Sequence, residues 1–471
     1  MKLCRKSLSG PRRDLRRVMR RVLRAGWLKR AALTCATALV VTPLAARCLD
    51  EDTLAQFAAQ EPAPAGAAEP RLQLQLMVRE ALDRSNGIGA ARLLADAALD
   101  DIEETLASKR TQGSISGGLG PGGSRTSGIT ETAATQVRAS LNFSRLLYDG
   151  GRTDRLADWR TQLAESARQG QLSQQEQLAL TTVGLALERS RYRMQAQVYG
   201  HHARKMACLV QALETIVRAD KGRASELVQA KKSLLQAELS QTQSQSLVRQ
   251  VEVRLRRLVG DGLPSVEGLA TVFADVPELN QLVADVERSS DLAQLEAQAV
   301  ASRRYAEAVE ASTRPQVSMT AAGAANAGLG GSQGYTRNGS YSVGLAVSIP
   351  LLNPGAGPAS DAARKRAAAA SLQRAEALDI RRFRVAEIHE QTLASLDRAK
   401  RTAEVLRDSE QVRSFTLQQW QQLGRRSLFD VMGAESEHYN LRVAYVNALH
   451  DVQQLNANLL SLGRGVADWL R

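Results

Sequence analysis

The sequence predicts a mixed α and β protein that is mostly helical and consists of two similar halves. Three observations lead to this prediction. Related segments recur at a constant offset of 204 residues, long regions carry apolar residues at helical spacing, and two short regions alternate apolar with small polar residues. Aromatic residues form only 4% of the chain, which favours long helices packed through aliphatic and small side chains over a large globular core.

The beginning of the chain predicts an export signal. Residues 1–47 hold 13 Lys and Arg and one Asp, so +12 of the net charge of +13 lies there and the remainder is nearly neutral. This distribution excludes a nucleic-acid-binding surface as the reason for the basic composition. The apolar stretch 31–46 is shorter than the about 20 residues of a membrane span and is typical of a signal peptide removed after Ala46. An uncleaved anchor and lipidation of Cys48 are the alternatives.

The two halves align without a gap, so that ALDRSNGI at 81–88 falls on DVERSSDL at 285–292. Each half is predicted to contain a helix, a β-hairpin and long helices, in that order. The predicted division is a signal peptide at 1–46, a flexible linker at 47–70, a first repeat at 71–260, a linker at 261–276, a second repeat at 277–463 and a C-terminal tail at 464–471.

The alternating regions predict the hairpin strands. In the second half, small residues separate the apolar residues Tyr341, Val343, Leu345, Val347 and Ile349. A period of two is typical of a membrane barrel strand with lipid on one side and water on the other. A soluble sheet that is buried on one side gives the same pattern, so the strands alone leave both interpretations open.

Coiled-coil seams are predicted in the long helical regions. The clearest has a period of 3.5 residues and consists of Leu441, Tyr445, Ala448, Val452, Leu455, Leu459 and Leu462. A weaker seam runs over 234–258 and includes the polar residues Gln241 and Ser244. Gly222 and Gly424 interrupt the two regions at corresponding places, where each long helix is expected to reverse direction.

Several motifs resemble those of TolC-like outer-membrane efflux proteins and occur in the same order along the chain. The pattern Gly424-x-x-Ser427-x-x-Asp430 before a long amphipathic helix resembles the family's second periplasmic helix pair, and RLLYDGGR at 145–152 resembles its strand-to-helix junction. Pro315, where a helix meets a strand, is also typical. The resemblance covers almost the whole chain after the leader. It implies a trimer in which each protomer gives four strands to one twelve-stranded outer-membrane barrel, while its helices form a periplasmic coiled-coil tunnel.

The resemblance implies the outer-membrane channel of a tripartite type I secretion or efflux system, a passive export conduit that extends into the periplasm. A protein toxin is the expected cargo. The implied partners are two further copies of the chain, a periplasmic adaptor protein, an inner-membrane ABC transporter or other pump, and outer-membrane lipid, without any nucleic acid. The alternative is an adaptor-like periplasmic coiled-coil protein without a pore, which would lack the two amphipathic hairpins.

The resemblance also assigns three groups of residues. The periplasmic entrance, where three carboxylates would attract cations and could pair with nearby arginines, is assigned to Asp430 and Arg426. The adaptor-contacting tips are assigned to Gly222, Arg223, Gly424, Arg425 and Ser427. The strand-to-helix junctions are assigned to Asp149, Gly150 and Gly151 and to Asn353, Pro354 and Gly355. Gly433 replaces a second acidic residue of the family, so one acidic ring is expected, and a solvated helix charge is the alternative for Asp430.

Motifs for catalysis or cofactors are weak. Residues 118–123 fit GxGxxG, but Pro121 lies inside them and no helix follows, so we interpret them as a loop. His389 and Glu390 begin a zinc-binding HExxH pattern whose second His is missing. We therefore expect no enzyme activity, no cofactor and no metal site.

Overall fold

A computed structural model describes residues 69–122, 125–126, 129–130, 134–264, 268–269, 272–329, 335–423 and 425–471. The predicted signal peptide, Cys48, most of the linker at 47–70, part of both hairpin loops and Gly424 lie outside the described residues.

The first half contains four described helices. They are α1 (Pro70–Arg84), α2 (Asn86–Ala107), α3 (Arg152–Ala219) and α4 (Ala224–Val259). The Ser85 hydroxyl accepts a hydrogen bond from the Ile88 N–H at 3.3 Å and so caps the start of α2. Helix α3 has 68 residues, which corresponds to about 100 Å at 1.5 Å per residue. It packs along α4, and a 3₁₀ turn at Lys221–Arg223 joins the two.

The second half repeats this order. Its described helices are α5 (Leu279–Val286), α6 (Ser290–Ala311), α7 (Ala356–Gln418), α8 (Leu428–Leu462) and the short α9 (Val466–Leu470). Helix α6 begins and ends 204 residues after α2, and α7 begins 204 residues after α3. Within the described ranges, no helix has a sufficiently long and apolar stretch to cross a membrane.

The strands form an antiparallel sheet in the order β1-β4-β5-β6. Its strands are β1 (Gln112–Gly122), β4 (Ala134–Tyr148), β5 (Gln316–Leu329) and β6 (Tyr335–Ser348), and a separate short pair consists of β2 (Arg125–Thr126) and β3 (Ile129–Thr130). The two hairpins therefore meet through β4 and β5, while β1 and β6 form the edges of the sheet.

The hydrophobic core lies among the helices. One cluster joins α1, α3, α4, α8 and α9 and includes Leu74, Leu187, Leu255, Phe273 and Leu470, all nearly inaccessible to solvent. A second cluster, near the ends of the long helices, consists of Val210, Leu213, Ala230, Leu428, Val431 and Met432. Two further clusters join α5, α6, α7 and α8 and join α3 to α8, so the helices contact one another at several places along their length.

In the predicted seam of the first half, Ala237, Val251 and Leu255 of α4 are buried, whereas Leu234, Val248 and Leu258 are half-buried. In the predicted seam of α8, Ala448, Val452 and Leu459 are buried, whereas Leu441 and Tyr445 at its start are half-buried. The buried stripe there lies one position away and consists of Leu428, Met432, Glu435, Tyr439, Arg442 and Val446. Counting apolar residues alone missed this stripe because charged residues occupy two of its positions.

Candidate functional site

The sheet has one apolar and one polar face, which we define by the strand register. One row across the sheet consists of Ile115, Leu141, Gly323 and Tyr341, and the next consists of Ser116, Ser140, Ala324 and Ser340. In the second row the hydroxyl oxygens of Ser116 and Ser140 lie 2.7 Å apart. The apolar face, which carries the first row, is exposed, and the side chain of Tyr341 is 92% accessible. The predicted alternation therefore exists in three dimensions, with apolar side chains outside the core.

The first strand-to-helix junction is fixed by Asp149. Its carboxylate accepts hydrogen bonds from the N–H groups of Gly151 at 2.9 Å and Thr153 at 2.6 Å, so it neutralises free donors at the start of α3. Burial acts to raise the pKa of Asp149, but the hydrogen bonds from Thr153 and Gly151 and the charge of Lys109 outweigh it and lower the pKa. Asp149 therefore keeps its charge where the strand becomes a helix.

Two glycines make the turn itself. Gly150 and Gly151 have φ angles of +66° and +80°, a left-handed conformation that strains other residues. The Arg314 guanidinium, which follows α6, donates to the Gly150 carbonyl at 3.0 Å, and Arg155 donates to the Gly151 carbonyl at 3.0 Å. The junction thus joins both halves of the chain, because Arg314 belongs to the second repeat.

The second junction reaches a helix in a different way. Pro354 and Gly355 stand at the positions of Gly150 and Gly151, yet Gly355 has a φ of −78°. The Ala356 N–H donates to the Asn353 carbonyl at 3.1 Å, and no side chain caps the start of α7. Asn353, Pro354 and Gly355 are exposed. The equivalent turn of the second half therefore lacks the left-handed geometry of the first.

At the tip between α3 and α4, Asp220 accepts a hydrogen bond from the Gly222 N–H at 2.9 Å. This bond starts the 3₁₀ turn that reverses the chain direction. Gly222 and Arg223 are both exposed. The structure therefore places these two predicted tip residues on the surface of a tight turn.

The tip between α7 and α8 is built around a capping box. The Ser427 hydroxyl accepts from the Asp430 N–H at 3.2 Å, and the Asp430 carboxylate accepts from the Ser427 N–H at 3.1 Å. Arg426 donates to the Gln419 side chain at 3.2 Å. Arg425, Arg426 and Asp430 are all exposed.

A buried ionic cluster close to this tip was missed by sequence analysis. Glu435 of α8 lies 3.4 Å from the guanidinium of Arg413 of α7 and 3.9 Å from the ammonium of Lys205 of α3. Arg413 also contacts Glu410 at 2.5 Å, and Glu410 lies 3.1 Å from the His438 ring. The cluster therefore connects both long helix pairs through charges shielded from water.

Stacked rings extend this cluster toward α3. The His202 and Tyr439 rings stack with centroids 4.7 Å apart, and the Arg442 guanidinium lies 5.3 Å from the Tyr439 ring centroid. Burial lowers the pKa of His202 from 6.5 to about 4, so this ring is neutral at neutral pH. In the sequence, the seven-residue spacing of Glu435 and Arg442 could have indicated the buried cluster, because it places two charges on one seam.

Metal-ligating side chains are not grouped in threes anywhere in the described residues. A polar cavity of about 540 Å³ lies where α3, α6 and α9 meet and is lined by charges of both signs. Glu176 at its wall accepts hydrogen bonds from the Val466 and Ala467 N–H groups and so holds the start of α9. The buried Glu176 in this cavity is therefore explained by its role in holding α9 in place.

The fold is similar to that of solved outer-membrane channels. The channel-forming protein CusC has a TM-score of 0.72 at 17% sequence identity, over 86% of this chain and 96% of that one. The outer-membrane protein VceC of Vibrio cholerae has a TM-score of 0.69 at 19% identity, over 83% and 96%. The open-state MtrE outer-membrane channel of Neisseria gonorrhoeae has a TM-score of 0.68 at 15% identity, over 83% and 89%.

No protein-family model and no curated protein sequence matches the chain. The similarity to solved structures concerns the fold, since sequence identity is low. It confirms the prediction of a mixed α and β chain with a TolC-like architecture.

Proposed function

We propose that the chain is the outer-membrane channel of a tripartite export system and that it acts as a homotrimer. The observation that carries this proposal is the exposed apolar face of a sheet whose two edge strands are unpaired in a single copy. Three copies would join β1 of one protomer to β6 of the next and close a twelve-stranded barrel without edges. The apolar face would then contact lipid, and the polar face would line water.

The conduit continues from the sheet into the long helices. Helix α3 begins three residues after β4 ends, and α7 follows β6 within seven residues. The polar lumen of the sheet would therefore open directly into a tunnel of long helices. Its reach of about 100 Å fits a path across the periplasm.

The partners that we propose act at the helix tips. Gly222, Arg223, Arg425 and Ser427 are exposed and would contact a periplasmic adaptor protein, together with Gly424. The adaptor would link the trimer to an inner-membrane ABC transporter or other pump. We propose a protein toxin as the cargo.

The entrance proposal rests on Asp430. Three copies of this exposed carboxylate around one axis would concentrate cations, as acidic rings do in cation channels. Asp430→Asn removes the charge and retains an oxygen that can accept the Ser427 N–H of the capping box. We expect it to lower cation preference in bilayer recordings while the trimer still assembles. Unchanged selectivity in an assembled trimer would mean that Asp430 only caps the start of α8 and does not form the entrance.

Fractionation and size decide between this function and its alternative. The full chain is expressed in a Gram-negative host, membranes are separated by density, and the extracted protein is sized by light scattering with correction for detergent. We expect a trimer in the outer-membrane fraction that conducts ions in planar bilayers. A monomer released without detergent would instead support the adaptor-like coiled-coil protein without a pore.

A further inference from the structure

The polar face of the sheet carries a single charged side chain, Arg138, among the described residues of its four strands. The other polar-face positions are Ser, Thr, Asn, Gln, Ala and Gly, together with Leu146 at the end of β4. The described residues of these strands also contain no Asp or Glu, and the formal charges of Arg125 and Glu131 between β1 and β4 cancel. Arg138 therefore has no carboxylate on its own face of the sheet.

Neutral amides surround the Arg138 side chain. Its Nε and Nη2 donate to the Gln136 side-chain oxygen at 3.2 and 2.6 Å. Across the sheet, Arg138 is level with Gly118 on β1 and with Asn326 on β5, which pairs with Asn338 on β6. Gln136 orients the guanidinium without neutralising it, and donors remain for an anion because a guanidinium has five N–H groups.

The opposite face of the sheet offers a matched comparison. Arg337 on β6 pairs with Ala327, which pairs with Val137, so Arg337 lies one row from Arg138 along the strands. Successive residues of a strand point to opposite faces, so Arg337 belongs to the apolar face. Two arginines at nearly the same height therefore lie on different sides of the sheet.

We propose that Arg138 forms an anion-binding ring in the channel lumen, an inference that rests on the proposed trimeric channel. Three copies would place three guanidinium groups around one axis in a lumen lined by neutral groups. Such a ring raises the local concentration of anions and lowers that of cations. Multivalent anions with phosphate or carboxylate groups would bind most strongly, because one such ligand can contact more than one guanidinium.

The test measures ion selectivity of the assembled channel. Purified wild-type and variant trimers are inserted into planar bilayers under a KCl gradient, and ATP is added as a multivalent anion to the side that the hairpin loops face. We expect Arg138→Gln to lower the chloride-to-potassium permeability ratio by about twofold to tenfold and to weaken current block by ATP by about tenfold. Arg138→Lys should retain both properties, and Arg337→Gln should change neither.

The outcomes separate this inference from the proposed function. Conducting trimers in which Arg138→Gln and Arg337→Gln behave alike would overturn the anion-binding ring and leave the channel standing. Loss of ATP block in Arg337→Gln alone would reverse the assignment of the two faces. A wild-type protein that never conducts would overturn both proposals. The yield of trimer from each variant shows whether a change in current reflects assembly.

Discussion

Gly150→Ala should destabilise the first strand-to-helix junction more than Gly355→Ala destabilises the second. At a φ of +66°, any residue with a Cβ costs about 1–2 kcal/mol. The new Cβ would also lie 2.4 Å from the Arg314 Cβ, an atom fixed to the backbone that cannot rotate away. Moving one of the two segments adds about 1–3 kcal/mol, so the total is about 2–5 kcal/mol.

Two other glycines, one in each junction, serve as graded controls. At Gly151 the φ of +80° gives the same backbone cost, but the nearest atom is the far end of Arg155, which can move. Gly151→Ala should therefore cost about 1–2 kcal/mol. At Gly355 the φ is negative and the nearest atom lies 3.5 Å away, so Gly355→Ala should stay within about 0.5 kcal/mol of wild type.

The assay is urea unfolding of the detergent-extracted protein, followed by circular dichroism at one protein concentration. We expect the midpoints to fall in the order wild type, Gly355→Ala, Gly151→Ala, Gly150→Ala. Adding Arg314→Gly to Gly150→Ala removes the opposing Cβ and should restore the steric part of the loss, whereas Arg314→Ala should not. Equal midpoints for Gly150→Ala and Gly355→Ala would refute the reasoning.

Three further predictions concern the sheet and the helices. Leu345→Arg places a charge on the apolar face and should cost about 2–4 kcal/mol in outer-membrane insertion, whereas Ala346→Arg on the polar face should be milder; equal losses, measured as folded trimer, would indicate a soluble sheet. Because protonation of His202 favours the unfolded chain, its contribution to stability should fall by up to about 1.4 kcal/mol per pH unit as pH drops from 6.5 to about 4. His202→Phe should therefore reduce the pH slope in urea titrations, while buried His450, whose pKa is also lowered by burial, still contributes. Glu435→Gln removes the buried carboxylate that Arg413 and Lys205 share. It should lower the unfolding free energy by about 3–5 kcal/mol, and a loss below 1 kcal/mol would contradict the buried cluster.

Local periodicity was sufficient to predict the long helices, the hairpins and their repetition, because each depends on side-chain spacing within one segment. The buried stripe at the start of α8 was not predictable in the same way. Glu435 and Arg442 are counted as surface residues in an apolar pattern. Arg413 and Lys205 on other helices neutralise Glu435, and Arg442 lies against Tyr439 of its own helix. Such pairing depends on contacts between distant segments.

The junctions and the entrance show the same division between local and distant information. The Asp-Gly-Gly sequence predicted a turn at Gly150, whereas its clamp by Arg314 joins residues 164 positions apart. The second junction could not be inferred from the first, because Pro354 excludes the positive φ that Gly150 adopts. The S-x-x-D pattern of Ser427 and Asp430 is typical of a capping box. The family resemblance instead assigned Asp430 to the entrance.

The unpaired edges of the sheet also constrain how the protein can mature. Strand β1 has 11 residues and β6 has 14, and each presents one side of its backbone without a partner in a single copy. In hydrocarbon each unsatisfied N–H or C=O group costs several kcal/mol, so one chain alone would face a barrier of tens of kcal/mol to entering a bilayer. If the chain is the proposed trimeric channel, insertion and subunit association would then occur as one event. Synthesis of a single copy would therefore not leave a partly formed, leaking pore in the envelope.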